Sequence, residues 1–436
     1  MNLRETALKL LIDYEECGKY VNLSLSSHLA DRLSPEERAS LTALLYTTVE
    51  HKLTYDYYIA ALSGRGIDKI STHTKCILRL GLCQIVNMDN IPDFAAVNET
   101  VKLAKNPGER SFVNGVLRRA AREKDSLPLP SKDKNAARYY SVLYSLPLHT
   151  VKHFIAELGE TDAVKLFEAF NRQAPISLTV NTLKISVEDF ISELEKEGYA
   201  PTRVKFSPIT VRLSEPANPR KIKGFDKGWF YVQDEASALA ALVLSAKDGE
   251  VIVDTCSAPG GKSFASAILS GNGAEIYSFD LHESKLSLIT DTASRLGLKS
   301  ISVSERDALT PDEKLLGRVD KLLCDVPCSG LGVIAKKPDL RYKDITSVAE
   351  LPALQLDILT ASSRYLKAGG ELVYSTCTLN PRENCEVVLK FLEENPGFSP
   401  VDFSVGSLKS DNGMLTLWPH IHNTDGFFIS KLRKNK

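Results

Sequence analysis

The reading of this chain turns on Val251-Ile252-Val253-Asp254-Thr255-Cys256-Ser257-Ala258-Pro259-Gly260-Gly261-Lys262. Four residues rich in β-branched side chains predict a buried parallel strand, and the run 263–269 (SFASAIL) predicts the first turns of a helix. Between them lie small residues, a proline and two adjacent glycines. Strand, glycine turn and helix form the entry unit of a doubly wound α/β domain. The glycines let backbone approach a ligand closely, and the helix N-terminus offers free N–H groups. The stretch is therefore expected to bind a nucleotide-like cofactor.

Strands and helices alternate downstream. Strands are expected at 274–280, 300–304, 319–324 and 371–375, with helices at 284–296, 351–366 and 383–395. A late strand at 426–432 is expected to be an antiparallel edge. This pattern places helices on both faces of a mostly parallel sheet and ligands at the strands' C-terminal ends. Asp254, Asp280, Asp307 and Asp325 fall at or just past successive strand ends. Asp280 follows Gly260 at the spacing where an acid takes ribose hydroxyls, and Asp307 could read an adenine amino group. Two cofactor classes are disfavoured. Residues 258–263 read Ala-Pro-Gly-Gly-Lys-Ser, without the dinucleotide glycine pattern, and a phosphate loop ending at Gly261-Lys262-Ser263 would need glycine where Cys256 stands. S-adenosylmethionine remains, with ribose and adenine but no phosphate.

Two cysteines belong to this rim. Cys328 lies in Asp325-Val326-Pro327-Cys328-Ser329-Gly330 after the fourth strand, and Cys377 in Tyr374-Ser375-Thr376-Cys377-Thr378 after the fifth. C5 of a pyrimidine is too weak a nucleophile to take a methyl group unaided. A thiolate that adds to C6 makes C5 enamine-like, and a base must then remove the C5 proton so that the thiolate can leave. The site must activate that thiol, since a free one is only slightly ionised at neutral pH. Asp325 is placed to bond the N3/N4 edge of a cytosine.

The chain has 436 residues, 43% of them hydrophobic and 25% charged, with a formal net charge of −1. That is ordinary for two or three folded domains, and it gives no global sign of nucleic-acid binding. The eight cysteines form no C-x-x-C pair, and no metal site is expected. The N-terminus is too polar for a signal peptide and no apolar run is long enough to cross a membrane, so a cytoplasmic monomer without membrane contact is expected.

Residues 1–125 read as almost all helix, with helices at 39–61, 70–87, 95–103 and 110–122 and a capping box at Ser34-Pro35-Glu36-Glu37. Residues 126–135 are polar and proline-containing, a linker. Residues 136–228 read as a small α+β, RRM-like module, with helices at 148–157, 161–170 and 186–197, a strand at 176–180 and one or two short strands within 203–213. The remainder, 229–436, is the Rossmann-like α/β domain. Two basic clusters could lie along RNA phosphates: Arg118, Arg119, Arg122 and Lys124, and Arg220, Lys221, Lys223 and Lys227 interleaved with Phe225, Trp229 and Phe230.

Three motifs resemble the RNA cytosine-5 methyltransferase (Sun) family: Cys256 to Lys262, Asp325 to Gly330, and Ser375-Thr376-Cys377 with Pro381-Arg382-Glu383-Asn384. Arg4 to Leu8, Tyr20 to Leu25, Ala96 to Glu99 and Ser111 to Arg119 resemble the NusB-like RNA-binding domain, and Val180 to Lys184 the region preceding the family's catalytic domain. The departures, Ser257 and Val326 for alanine and Cys385 for an acid, do not touch the chemistry. The resemblance implies a class I methyltransferase fold and an enzyme that uses S-adenosyl-L-methionine to methylate one cytosine of 16S rRNA, position 967 in this family. It implies Cys377 as nucleophile, Cys328 in proton removal and release, and Asp325 on the base edge. The cofactor would be held by Cys256, Ser257, Ala258, Pro259, Gly260, Gly261, Lys262, Asp280, Asp307 and Asp325. Lys262 is expected to line the site near the target base or to cap its own loop.

Overall fold

The computed structural model describes residues 3–18, 33–343 and 349–436. The stretch 20–25 named above lies outside them. Packing divides the chain into two compact units, Met1–Asn171 with Lys337–Lys343, and Arg172–Lys336 with Asp344–Lys436. Residues 136–171, read above with the middle module, pack in the first.

The first unit contains α1 (Leu3–Cys17), α2 (Pro35–Glu50), α3 (Lys52–Ser63), α4 (Thr72–Asn87), α5 (Asp93–Val101), α6 (Pro107–Arg122), α7 (Ala136–Leu143) and α8 (Leu148–Phe170). The capping box forms: Ser34 Oγ accepts the Glu37 N–H and the Glu37 carboxylate accepts the Ser34 N–H. The single helix expected at 39–61 is two helices, because the backbone leaves helical geometry at His51. The break is held by the α7–α8 junction, where Ser145 Oγ takes the Leu53 N–H and the Val142 carbonyl takes the Thr54 hydroxyl. α4 is central, with Cys76, Ile77, Leu78, Leu80, Leu82, Cys83 and Ile85 fully buried. Arg79 within it is held bidentately by Asp56. A non-helical Gly159 splits α8 into the two helices that were expected.

In the second unit β1 (Ile176–Val180), α9 (Val187–Lys196), β2 (Pro201–Arg203), β3 (Thr210–Leu213) and β4 (Phe230–Val232) build an antiparallel sheet of order β2-β3-β1-β4. The three-residue β4 was not anticipated, because its residues read as part of the basic–aromatic cluster. Phe230 is buried against Phe190, Phe225 lies under the Arg295 guanidinium, and Lys223 pairs with Glu193. The aromatic members of that cluster thus serve the core.

The larger sheet follows: α10 (Glu235–Leu244), β5 (Val251–Asp254), α11 (Gly261–Leu269), β6 (Glu275–Asp280), α12 (Glu283–Leu296), β7 (Ile301–Glu305), β8 (Val319–Asp325), α13 (Leu351–Ser363), β9 (Leu366–Thr376), α14 (Cys385–Glu394), β10 (Phe398–Pro400), the pair β11 (Ser404–Val405) and β12 (Leu408–Lys409), β13 (Met414–Leu417), α15 (Pro419–His422) and β14 (Phe427–Lys434). Its order is β10-β14-β9-β8-β5-β6-β7. β7, β6, β5, β8 and β9 are parallel and β14 is antiparallel to β9. β14 is antiparallel as expected but is not an edge, since β13 and β10 both pair with its outer side. The helix expected to run to 366 ends at Ser363. Gly369-Gly370 lie instead inside β9, where a register shift against β8 absorbs extra residues.

One side chain fastens the small sheet to the large domain. Buried Asn181 donates from Nδ2 to the carbonyls of Gly228 (3.0 Å) and Leu296 (2.9 Å), the latter at the end of α12. Replacing it leaves two carbonyls short of a partner, so Asn181→Ala should lower unfolding free energy by about 1–3 kcal/mol in urea titrations.

Candidate active site

The strand order reverses at β5, with β6 on one side and β8 on the other, and ligands bind at such a reversal. The glycine loop leaves β5 at this point. Ser257 is tied to the next strand, its N–H and hydroxyl both donating to the Phe279 carbonyl (2.8 and 2.9 Å). Gly260 has φ of 103°, and a Cβ there would meet the Phe264 ring at 2.3 Å. A Cβ on Gly261 would lie 2.7 Å from the Gln233 amide. The backbone at 260 requires glycine, and a side chain at 261 would displace the Gln233 amide, so the amino end of α11 is left bare of side chains.

The acids divide by role. Asp280 accepts the Ala258 N–H through Oδ2 and the His282 N–H through Oδ1, both at 3.1 Å, and so braces the glycine loop from β6. Asp254 is fully buried. Its Oδ2 accepts the Ser263 hydroxyl (2.7 Å), while its Oδ1 has no partner among the described residues. Asp307 is exposed and accepts the Leu309 N–H, closing its own turn apart from this network. Cys256 is half-buried beside the acids, its thiol pushed well up by burial and then by the nearby charges.

Lys262 stands on the first turn of α11. Its Nζ reaches Asp325 Oδ2 at 2.5 Å and Ser237 Oγ at 2.9 Å, and lies 5.2 Å from the centre of the Phe427 ring. It therefore bridges from the helix after β5 to the end of β8. Asp325 Oδ1 accepts the Ser375 hydroxyl of β9 at 2.7 Å. A lysine, an aspartate and a serine from three elements make one polar line.

The two rim cysteines meet. Cys328 Sγ lies 3.1 Å from Cys377 Sγ, and both residues are half-buried free thiols. The Cys328 thiol is held well above its ordinary range, first by its hydrogen bond with Cys377, then by burial and by the charges of Cys377, Glu383 and Asp325. Beneath the pair, the carboxylate of Glu383 joins the two cysteine loops, together with Gln355 of α13, Ser329, Thr378 and Asn380. Glu383 was noted only as part of a motif, and Gln355 went unnoticed. Its signal was a lone amide inside the apolar run Leu351-Pro352-Ala353-Leu354-Gln355-Leu356. Two glycines complete the frame: Gly332 donates to the Cys377 carbonyl (2.9 Å) and accepts the Gly426 N–H (2.8 Å) at a crossing too close for a Cβ.

A five-stranded parallel core with an antiparallel strand beyond β9, a glycine loop at the reversal and acids on the rim define a class I methyltransferase domain. The comparisons carry this to a family. The model described as 16S rRNA methyltransferase RsmB/F matches residues 241–433, the NusB family 1–122, and the ferredoxin-like domain of RsmF/B-like methyltransferases 146–219. The chain is 36% identical to a probable ribosomal RNA small subunit methyltransferase B of Bacillus subtilis, covering 99% of each, and 32% identical to the ribosomal RNA small subunit methyltransferase B of Vibrio vulnificus, covering 100% of each. Among solved structures, PH0851 superposes with a TM-score of 0.82 at 27% identity over 99% of both chains. A methyltransferase homologue from Pyrococcus horikoshii gives 0.61 at 30% identity over 69% of this chain and 99% of its own. The chain belongs to the ribosomal RNA small subunit methyltransferase B family, and is a methyltransferase. Among the described residues no helix is long and apolar enough to cross a membrane, and no three His, Cys, Asp or Glu side chains gather as a metal site.

Burial raises the Asp254 pKa to about 7. The folded chain therefore holds this proton more tightly than the unfolded chain, whose aspartates titrate near about 4. Stability must fall as pH rises from about 4 to about 7 and level off above, where both states are ionised. Asp425, raised to about 7 by burial and by Asp234, contributes with the same sign. Urea titrations at pH 4.5 and 7.5 (~3 pH units apart on that scale) should show a smaller loss of stability with rising pH for Asp254→Asn than for the parent chain.

Proposed function

We propose that this protein uses S-adenosyl-L-methionine to methylate C5 of a cytosine in 16S rRNA, the family's cytosine 967, through a covalent bond from Cys377 to C6. The observation that carries this reading is the pair of thiols 3.1 Å apart at neighbouring strand ends, beside Asp325 held by Lys262. The names of its relatives point to small-subunit rRNA as the substrate.

The residues of the glycine loop fit this cofactor by their chemistry. The loop offers bare backbone and the end of α11, while Asp280 and Asp325 set carboxylates at the strand ends, which suits hydroxyl and ammonium donors and opposes a phosphate. Residues 256–262 with Asp280 would hold it, and Asp307 would reach the adenine. When bound, it supplies an electrophilic methyl group on a positive sulfur.

Everything else is work for the protein. A cytosine must leave its stack, at a cost of a few kcal/mol, to reach the rim. Asp325 keeps acceptor capacity beyond Lys262 and Ser375 for the N4 amino group of the base, which orients the ring. Cys328, which retains its proton, donates to Cys377 and so favours the thiolate there. The Cys377 thiolate forms a bond to C6, the C5–C6 pair moves to C5, and C5 takes the methyl group. With Cys377 bonded to C6, Cys328 loses its own proton to water, its thiolate takes the C5 proton, the double bond re-forms, and the C6–S bond breaks to return Cys377 as a thiolate. The helical unit and the small sheet would position the RNA, with Arg118, Arg119, Arg122 and Lys124 on phosphates. We take the working form to be a cytoplasmic monomer.

Two substitutions test the roles. Cys377→Ser should reduce methyl transfer to a 16S fragment by roughly 10⁴-fold or more and trap no RNA. Cys328→Ser should still transfer one methyl group and accumulate a protein–RNA adduct that survives denaturing electrophoresis. An adduct in Cys377→Ser but not in Cys328→Ser would reverse the assignment, as in enzymes that attack through the Pro-Cys thiol.

A further inference from the structure

Glu383 is fully buried, yet among the described residues no lysine, arginine or histidine pairs with it. A buried carboxylate without a counter-charge is costly unless its lone pairs are filled. Here they are. Oε2 accepts the Ser329 N–H (2.8 Å) and the Gln355 amide (3.1 Å), and Oε1 accepts the Ser329 hydroxyl (2.5 Å) and the Asn380 amide (3.0 Å). Four donors converge on a group that only accepts. An amide in its place would turn an NH₂ toward two of those donors.

These donors frame the two sulfurs. Ser329 follows Cys328 in the chain, and Pro327 precedes it, its carbonyl bound by the same Gln355 amide at 2.9 Å. Thr378 follows Cys377 and shares a 2.7 Å hydroxyl contact with Ser329. Tyr374, on β9 before Cys377, donates its hydroxyl to the Glu383 carbonyl at 2.6 Å. Both cysteine loops are therefore fastened to one carboxylate.

We propose that Glu383 is a positioning residue for the reaction: its carboxylate clamps the Cys328 loop to the Cys377 loop and, as the negative charge under Cys328, holds the proton on that sulfur while Cys377 attacks. This rests on the roles given above to the two thiols. The groups facing Cys328 are Cys377 and Glu383 from the loop after β9, Tyr374 on β9 and Asp325 at the end of β8. None of these is a cation, so each of their charges disfavours a Cys328 thiolate, while the Lys262 cation is paired with Asp325. While Cys377 is a thiolate, Cys328 keeps its proton and donates to it. Once Cys377 is bonded to C6, its charge and its acceptor are gone, and Cys328 can lose its proton to water. The Glu383 charge remains and keeps the resulting thiolate basic. That thiolate takes the C5 proton, the electron pair restores C5–C6, and Cys377 departs as a thiolate.

The test reads the ionisation of Cys328 directly, by the pH dependence of its alkylation with iodoacetamide, followed by mass spectrometry of the Cys328 peptide in a Cys377→Ser background. Glu383→Gln removes the charge. Gln355→Lys neutralises it while leaving the carboxylate in place, and serves if the first variant does not fold. Either should lower the Cys328 midpoint by roughly one pH unit, which a purely structural role for Glu383 would not do. In the parent background Glu383→Gln should lower single-turnover methyl transfer about tenfold or more while release keeps pace, so that no RNA adduct builds up. An unmoved midpoint in both variants, or an RNA adduct that accumulates in Glu383→Gln, overturns the proposal. Failure of the thiol roles would show separately, as an adduct that forms in Cys377→Ser, whatever the alkylation midpoints are.

Discussion

The pair between Lys262 and Asp325 joins the two halves of the site. The lysine stands on the first turn of α11, directly after the glycine loop, and the aspartate ends β8, so the contact crosses from the cofactor side of the strand reversal to the cysteine side. It is an uneven pair, with the lysine side chain buried and the aspartate about a third exposed. Such a pair adds little net stability once desolvation is counted. What it supplies is orientation: Asp325 is held by Lys262 on one oxygen and Ser375 on the other, and the loop carrying Cys328 begins at the next residue. Loss of Asp325 would leave the buried Lys262 charge unmatched.

The same economy recurs around the thiols. Cysteines close enough to share a proton need no separate base to bias which one is ionised. The neighbouring carboxylates raise the proton affinity of Cys328, whose sulfur lies 3.1 Å from that of Cys377. The arrangement depends on short loops that cannot drift, and the Gly332–Gly426 crossing and the Glu383 cluster hold those loops from opposite sides.

The helical unit shows a related solution. The segment Lys337–Lys343, a few residues beyond the Cys328 loop, belongs to that unit rather than to the methyltransferase domain. Arg341 is fully buried there and donates to the carbonyls of Tyr144 and Phe170 and to the Asn171 side chain, which are the loose ends of α7 and α8. Tyr342 places its hydroxyl against the Val49 and Glu50 carbonyls where α2 ends. Helix ends that lack internal partners are thus satisfied by a piece of chain from far along the sequence.

Much of this was legible in the residues themselves. Hydrophobic periodicity, N-caps and glycine punctuation are local signals, so β1, β5 and the Ser34 capping box stood where they were read. The glycine loop and the two cysteine motifs were legible for the same reason, since each lies on a few contiguous residues. Local signals failed where the decision was not local. The helix breaks at His51 where Ser145 takes the Leu53 N–H and Val142 the Thr54 hydroxyl, β4 pairs with β1 across fifty residues, and β14 is interior because β10 and β13 cover it. The sequence alone determined which side chains could do chemistry: a glycine loop, a rim of acids and two thiols. Only the tertiary structure decided that the thiols touch, that Lys262 faces Asp325 and that Glu383 lies under both cysteine loops, because distances between strand ends are set by sheet order and by which loops pack together, and no linear spacing carries that information.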